Sequence, residues 1–311
     1  IYILFSDKIV IPKAYLHLIG CLAILVITHP VYGAFRNNNH VYQLAELSVV
    51  KAELLAKQTN ASIAEVDIPV FQNQLPIHLY AKAIDVHNQL RQLQRQYGIN
   101  QMPEQSLPDK PVRTANVYEL LERVSAGLDT LLKHKGLGLP PEPEPKRGKS
   151  TEDNYTELWY LTRILSAMVP PPDTKSIQTQ LNIVKSSLAS IASKQSLRKA
   201  DVLTVAKIAR EPRAIMLVAY QNMHLLGRLQ RRLELEPIHP GTLGTGDLRL
   251  SDIYDITRYT IADLHRTRIT LGLSRLEADG VVTTETSIND LYQSLREIHD
   301  QLIAMTGSQR L

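Results

Sequence analysis

Residues 64–95 lie over residues 200–231 at a constant separation of 136 with no gap, and few features constrain a fold more than a register of that kind. The coincidences are Ala64/Ala200, Val66/Val202, Pro76/Pro212, Ala83/Ala219, Leu90/Leu226, Leu93/Leu229, Gln94/Gln230 and Arg95/Arg231. Downstream the same offset pairs Arg113/Arg249, Tyr118/Tyr254, Ala126/Ala262, Leu128/Leu264, Gly136/Gly272 and Leu137/Leu273. After one inserted residue the separation becomes 137 and matches Asp153/Asp290, Tyr155/Tyr292, Leu158/Leu295, Leu165/Leu302 and Met168/Met305. A single register held this far is the mark of an internal repeat.

Each unit reads as four helices. Val117, Leu120, Leu121, Val124, Leu128, Leu131 and Leu132 follow the i, i+3, i+4, i+7 rule, which predicts a helix from about Val117 to His134 capped by Asn116 with Glu119 as its capping-box partner. Its copy starts after Asp252 and ends near Gly272. Pro76 and Pro212 suit the first position of a second helix pair. A further helix follows Asp153 and stops before Pro170-Pro171-Pro172, and the first helix covers about Val41 to Gln58, with a copy over Ile177 to Ser193 capped by Ser176. The connections are long for a plain bundle. That over 59–75 is apolar enough for a short extra helix or strand, 98–115 and 236–251 read as loops, and Pro140 to Lys149 as a stiff hydrated connector. The expected fold is all-α: two tandem four-helix units, 34–172 and 173–311, forming a bimodular bundle or a short α-superhelix.

Five predicted helix starts share one signature: His40-Val41-Tyr42, Asn116-Val117-Tyr118, Asp153-Asn154-Tyr155, Asp252-Ile253-Tyr254 and Asp290-Leu291-Tyr292. The first residue of each is expected to cap, and the tyrosine to lie sideways with its hydroxyl near solvent. The chain has 13 Tyr against 3 Phe and 1 Trp. Repeated capping and packing accounts for the signature. A tyrosine-bearing recognition surface of Tyr42, Tyr118, Tyr155, Tyr254 and Tyr292, joined by the repeated Arg95 and Arg231, is the functional alternative.

Ahead of the repeat, Lys8 and Lys13 precede an apolar stretch from Ala14 to Thr28 and a small-residue site ending at Gly33, so 1–33 reads as a signal peptide and the chain as periplasmic or secreted. An uncleaved N-terminal anchor is the alternative, and Leu18-Ile19-Gly20-Cys21 resembles a lipobox with Cys21 lipidated. Cys21 is the only cysteine, so cleavage after Gly33 removes thiol, disulfide and iron–sulfur chemistry. The net charge of +4 is scattered, with no basic run, so no nucleic-acid partner is expected.

Enzyme signatures are missing. There is no phosphate loop, no His-Glu-x-x-His, no Gly-x-Ser-x-Gly and no EF-hand spacing, and the glycines at 241, 244 and 246 lack a following Lys-Ser or Lys-Thr. Histidines do not repeat: His87 stands opposite Met223, His78 opposite Ala214 and His265 opposite Asp129. A haem clamp from His87, His224, Met223 or Met168 is therefore weaker than packing as an account of those residues, and no cofactor or metal is expected. The expected role is a non-catalytic adaptor or assembly component that recognises a protein or peptide partner; the alternative is a bundle that senses a small molecule.

Overall fold

A computed structural model describes residues 36–63, 68–198, 211–239, 249–274 and 285–307. Among these are eight helices: α1 Asn38–Gln58, α2 Pro76–Gln96, α3 Thr114–His134, α4 Thr151–Ser166, α5 Thr174–Lys194, α6 Pro212–Arg232, α7 Leu250–Thr270 and α8 Ile288–Thr306. No strand occurs among the described residues. The expected leader over 1–33 and the Ala64/Ala200 end of the repeat register lie outside them.

Within Arg36–Leu311, α1 and α2 each pack on both α3 and α4, and α5 and α6 each pack on both α7 and α8; among the described helices the backbones of the two quartets come together at α2 and α7. The order around the first quartet is therefore α1, α3, α2, α4, with α1 diagonal to α2 and α3 diagonal to α4. Connectors 59–75 and 135–150 join diagonal helices, while 97–113, of similar length, joins neighbours. The described parts of 59–75 hold neither helix nor strand. The Pro-rich connector lies along α1, where Gln43 donates to the Pro143 carbonyl (3.0 Å) and Lys146 pairs with Glu46.

Two hydrophobic clusters fill the quartets, one from Val41 to Val169 and one from Ile177 to Met305. In the first, α3 buries the predicted row Val117, Leu120, Leu121, Val124, Leu128, Leu131 and Leu132 completely. Each such leucine stabilises the fold by about 1.5–3 kcal/mol relative to exposure.

Helix bounds recur at the sequence offset. α1, α2 and α3 start at 38, 76 and 114, and α5, α6 and α7 at 174, 212 and 250. The C-terminal turns recur as well. Asn60 and Ser196, Gly98 and Glu234, and Gly136 and Gly272 are all left-handed. The residue after each returns its N–H to the last turn, as in Ile99 to the Gln94 carbonyl (2.8 Å) and Leu235 to the Gln230 carbonyl (2.9 Å).

The helix starts need correcting by one turn. The caps are Asn37, Arg113, Ser150, Arg249 and Ser287, and His40, Asn116, Asp153, Asp252 and Asp290 occupy the third helical position. From there their side chains reach back and accept the cap's own N–H: Arg113 to Asn116 Oδ1 at 3.0 Å, Ser150 to Asp153 Oδ2 at 2.8 Å, Arg249 to Asp252 Oδ2 at 2.8 Å and Ser287 to Asp290 Oδ2 at 2.8 Å. Asp and Asn suit both ends of a capping box, so residue type alone leaves the turn ambiguous. Ser176 is likewise not a cap; Asp173 is, accepting the Ser176 N–H at 2.7 Å.

Candidate functional site

The buried apolar residues of the seam between α2 and α7 are Ile77, Ala81 and Ala262, with Leu75, Leu107 and Val112 partly buried against them. Around it the helices meet through charge. Lys82 pairs with Asp255 at 3.0 Å, Arg258 with Asp85 at 2.8 Å, and Arg163 of α4 with Asp252 at 2.6 Å. Farther along, His78 Nε2 stands 3.4 Å from Asp263 Oδ1, and the Tyr259 ring stacks on His78 with centroids 4.2 Å apart. Lys82, Asp85, His78 and Asp263 are buried, so each depends on its partner, and removing that partner leaves it uncompensated. Burial opposes ionisation of Asp263, yet the hydrogen bonds and charges of His78 and Arg266 hold its carboxyl below the usual range. Asp85 moves the other way: burial pushes its carboxyl up, against the pull of Arg258 and Lys82.

Two hollows flank this seam. The larger, an open cleft of about 430 Å³, runs between α2, α4, the start of α7 and the connector Pro170–Pro172. Gln89, Gln92 and Gln96 give it neutral hydrogen-bonding groups, Arg95 and Tyr254 stand in its wall, and Arg163, Asp85 and Asp255 line its floor. A second hollow of about 360 Å³ lies between α2, α5, α7 and the loop 104–107. Among the described residues no group of three or more His, Cys, Asp or Glu is placed to hold a metal ion.

The seven residues singled out from sequence are dispersed. Tyr42 is buried and donates its hydroxyl to Glu157 (2.9 Å), with Lys149 over its ring at 4.0 Å. Tyr155 is buried with its edge against Phe71 at 4.7 Å. Tyr118 is half-buried under the Arg36 guanidinium at 4.2 Å, and Tyr292 lies half-buried against the second core. Arg231 is exposed on the last turn of α6. Tyr254 and Arg95 alone of the seven share a hollow, the larger cleft. Burial, with Asp85 nearby, pushes the Tyr254 hydroxyl up to about 12, so at neutral pH it keeps its proton and can donate.

Sequence reading missed Asp85, Arg163, Arg258 and the His78/Asp263 pair. The available signal was charge at i, i+3 on otherwise apolar faces, Lys82 and Asp85 on α2 and Asp255 and Arg258 on α7. Among the described residues no helix is long and apolar enough to cross a membrane. No protein-family model, no curated protein and no solved structure matches the chain.

Proposed function

We propose that the chain is a tandem duplication of one four-helix unit, and that it acts as an exported, non-catalytic adaptor or assembly protein. An extended segment of a protein partner is seated in the cleft where the two units meet. The duplication is supported by three helix pairs whose two ends both recur 136 residues apart, by the left-handed residues that follow them, and by the matching order of packing. The adaptor role rests on one observation above others: the cleft is built from both units and presents amides, an arginine and a protonated phenol, while the charges in its floor already face one another. Such a surface has hydrogen bonds to offer an extended backbone.

The test is site-directed photocrosslinking from Gln92 in cells, followed by fractionation. The crosslinked partner is expected in the exported fraction and is expected to vanish in the Tyr254→Ala/Arg95→Ala variant, whose circular-dichroism melt stays unchanged. A partner captured equally by that folded variant rejects the cleft. A chain recovered only from cytosol rejects export.

A further inference from the structure

The second hollow holds an unbalanced charge. Arg268 is only 4% exposed and forms part of its wall. One guanidinium nitrogen, Nη2, donates to the Ser274 carbonyl at 2.5 Å, whereas Nε and Nη1 are buried with no hydrogen-bond partner. No carboxylate among the described residues pairs with it. The other ions around the hollow are matched: Arg258 by Asp85 at 2.8 Å, and Glu104 by Arg91 at 3.6 Å. His265 is turned to the Pro108 carbonyl at 2.9 Å. Among the described Arg, Lys, Asp and Glu side chains that line the hollow, Arg268 is thus the one without an ionic partner, and it is a group that cannot discharge itself by losing a proton. Burying such an ion unpaired is costly, and an incoming anion relieves that cost.

From this accounting we propose that the hollow bounded by α2, α5 and α7 binds a small organic monoanion whose carboxylate pairs with Arg268. One compensating charge fits a carboxylate better than a phosphate dianion. Ile84, Ile183 and Ile261 offer a wall for a short apolar portion, and Gln180 and Ser187 offer hydrogen bonds. The carboxylate belongs either to a free acid or to the C-terminus of a short peptide. The site is separate from the larger cleft, so each can fail without the other.

The full-length protein is titrated by calorimetry, at constant ionic strength, with butyrate, with acetyl-trialanine, with acetyl-trialanine amide and with inorganic phosphate. Butyrate or acetyl-trialanine is expected to bind, the amide is not, and Arg268→Leu weakens binding on the order of tenfold or more. Position 132, which is 136 residues earlier, already holds leucine in the same helical place, so Arg268→Leu is expected to fold. Should it not, Ser187→Leu fills part of the hollow without touching the charge and is expected to weaken binding to a similar extent. Absence of carboxylate binding, carboxylate binding indifferent to both substitutions, or Arg268-dependent binding of phosphate alone would each overturn the proposal.

Discussion

Position 127 in α3 is glycine; the place 136 residues on, in α7, is Asp263. In the first quartet the missing side chain makes room for Met102, whose sulfur lies 2.6 Å from where a Cβ would stand. The loop is pinned beside it by buried Gln94, which accepts the Met102 N–H at 2.9 Å. In the second quartet Gln230 pins the corresponding loop, accepting the Ile238 N–H at 2.7 Å, and uses its amide nitrogen on Asp263 and on Thr267 (3.1 Å). Asp263 also takes Arg266 at 2.9 Å and faces His78 across the seam. One loop anchor thus serves two interiors, an oily one and an ionic one. The difference follows from neighbours. α3 packs only within its quartet, and its inner row is aliphatic; α7 packs on α5 and α6 and also on α2, and its row has become Thr257, Thr260, Thr267 and Arg268. A helix buried on two sides has too little exposed face to carry its polar groups, so some go inside, where the three threonines bond to carbonyls of their own helix and Arg268 is paired only in part.

That contrast breaks hardest at Asp263. Asp263→Ala strands the buried ends of Arg266, Gln230 and His78, and is expected to cost about 3–5 kcal/mol in urea unfolding. Gly127→Ala gains up to about 1 kcal/mol of helix propensity and displaces only a flexible thioether, so its net effect stays within about 1 kcal/mol of zero. Equal costs at the two positions would show that the ionic interior is not what holds the second quartet.

The next effect belongs to the first quartet. His87 is fully buried, and burial with the charges of Arg91 and Arg123 lowers its pKa from 6.5 to about 4, against an opposing contact with Asn88. Above pH 6.5 the imidazole is neutral folded or unfolded. Between 6.5 and about 4 the unfolded chain takes up a proton that the folded chain refuses, so stability falls as pH falls, by up to about 1.4 kcal/mol per unit. His87→Met, the residue found at Met223, is expected to remove that slope and leave stability at pH 7.5 within about 1 kcal/mol. Parallel pH profiles for the two proteins would contradict it.

These sites differ in how far the sequence announced them. The eight helices were legible because a helix buried on one face prints a period near 3.6, and because Pro76, Pro212, Gly98 and Gly136 punctuate it. The turn at which five helices begin was not, because a carboxylate or amide fits the cap and the third position alike. Tyr254 and Arg95 are marked by repetition, yet repetition also marks Tyr155, which serves the first core, and Tyr42, whose hydroxyl is bonded to Glu157. Arg268 and Asp263 carried no signal at all. Each stands where the other copy has an apolar or absent side chain, and a residue that breaks the register looks like drift until its surroundings are seen.

The smallest effect tests the equivalence of the two copies most directly. Gly98 and Glu234 end α2 and α6 in the same left-handed conformation, φ +67° and +58°. No atom lies within 4 Å of a Cβ added at Gly98, so only backbone preference separates glycine from another residue there. A side chain in that conformation costs about 1–2 kcal/mol, partly offset by the greater freedom glycine has when unfolded. Glu234→Gly should therefore raise stability by about 0.5–1 kcal/mol and Gly98→Ala lower it by a similar amount, both read from denaturant midpoints at unchanged slope. Should Gly98→Ala be neutral while Glu234→Gly stabilises, the two turns bear different loads, and matched helix bounds would conceal caps that have diverged in energy.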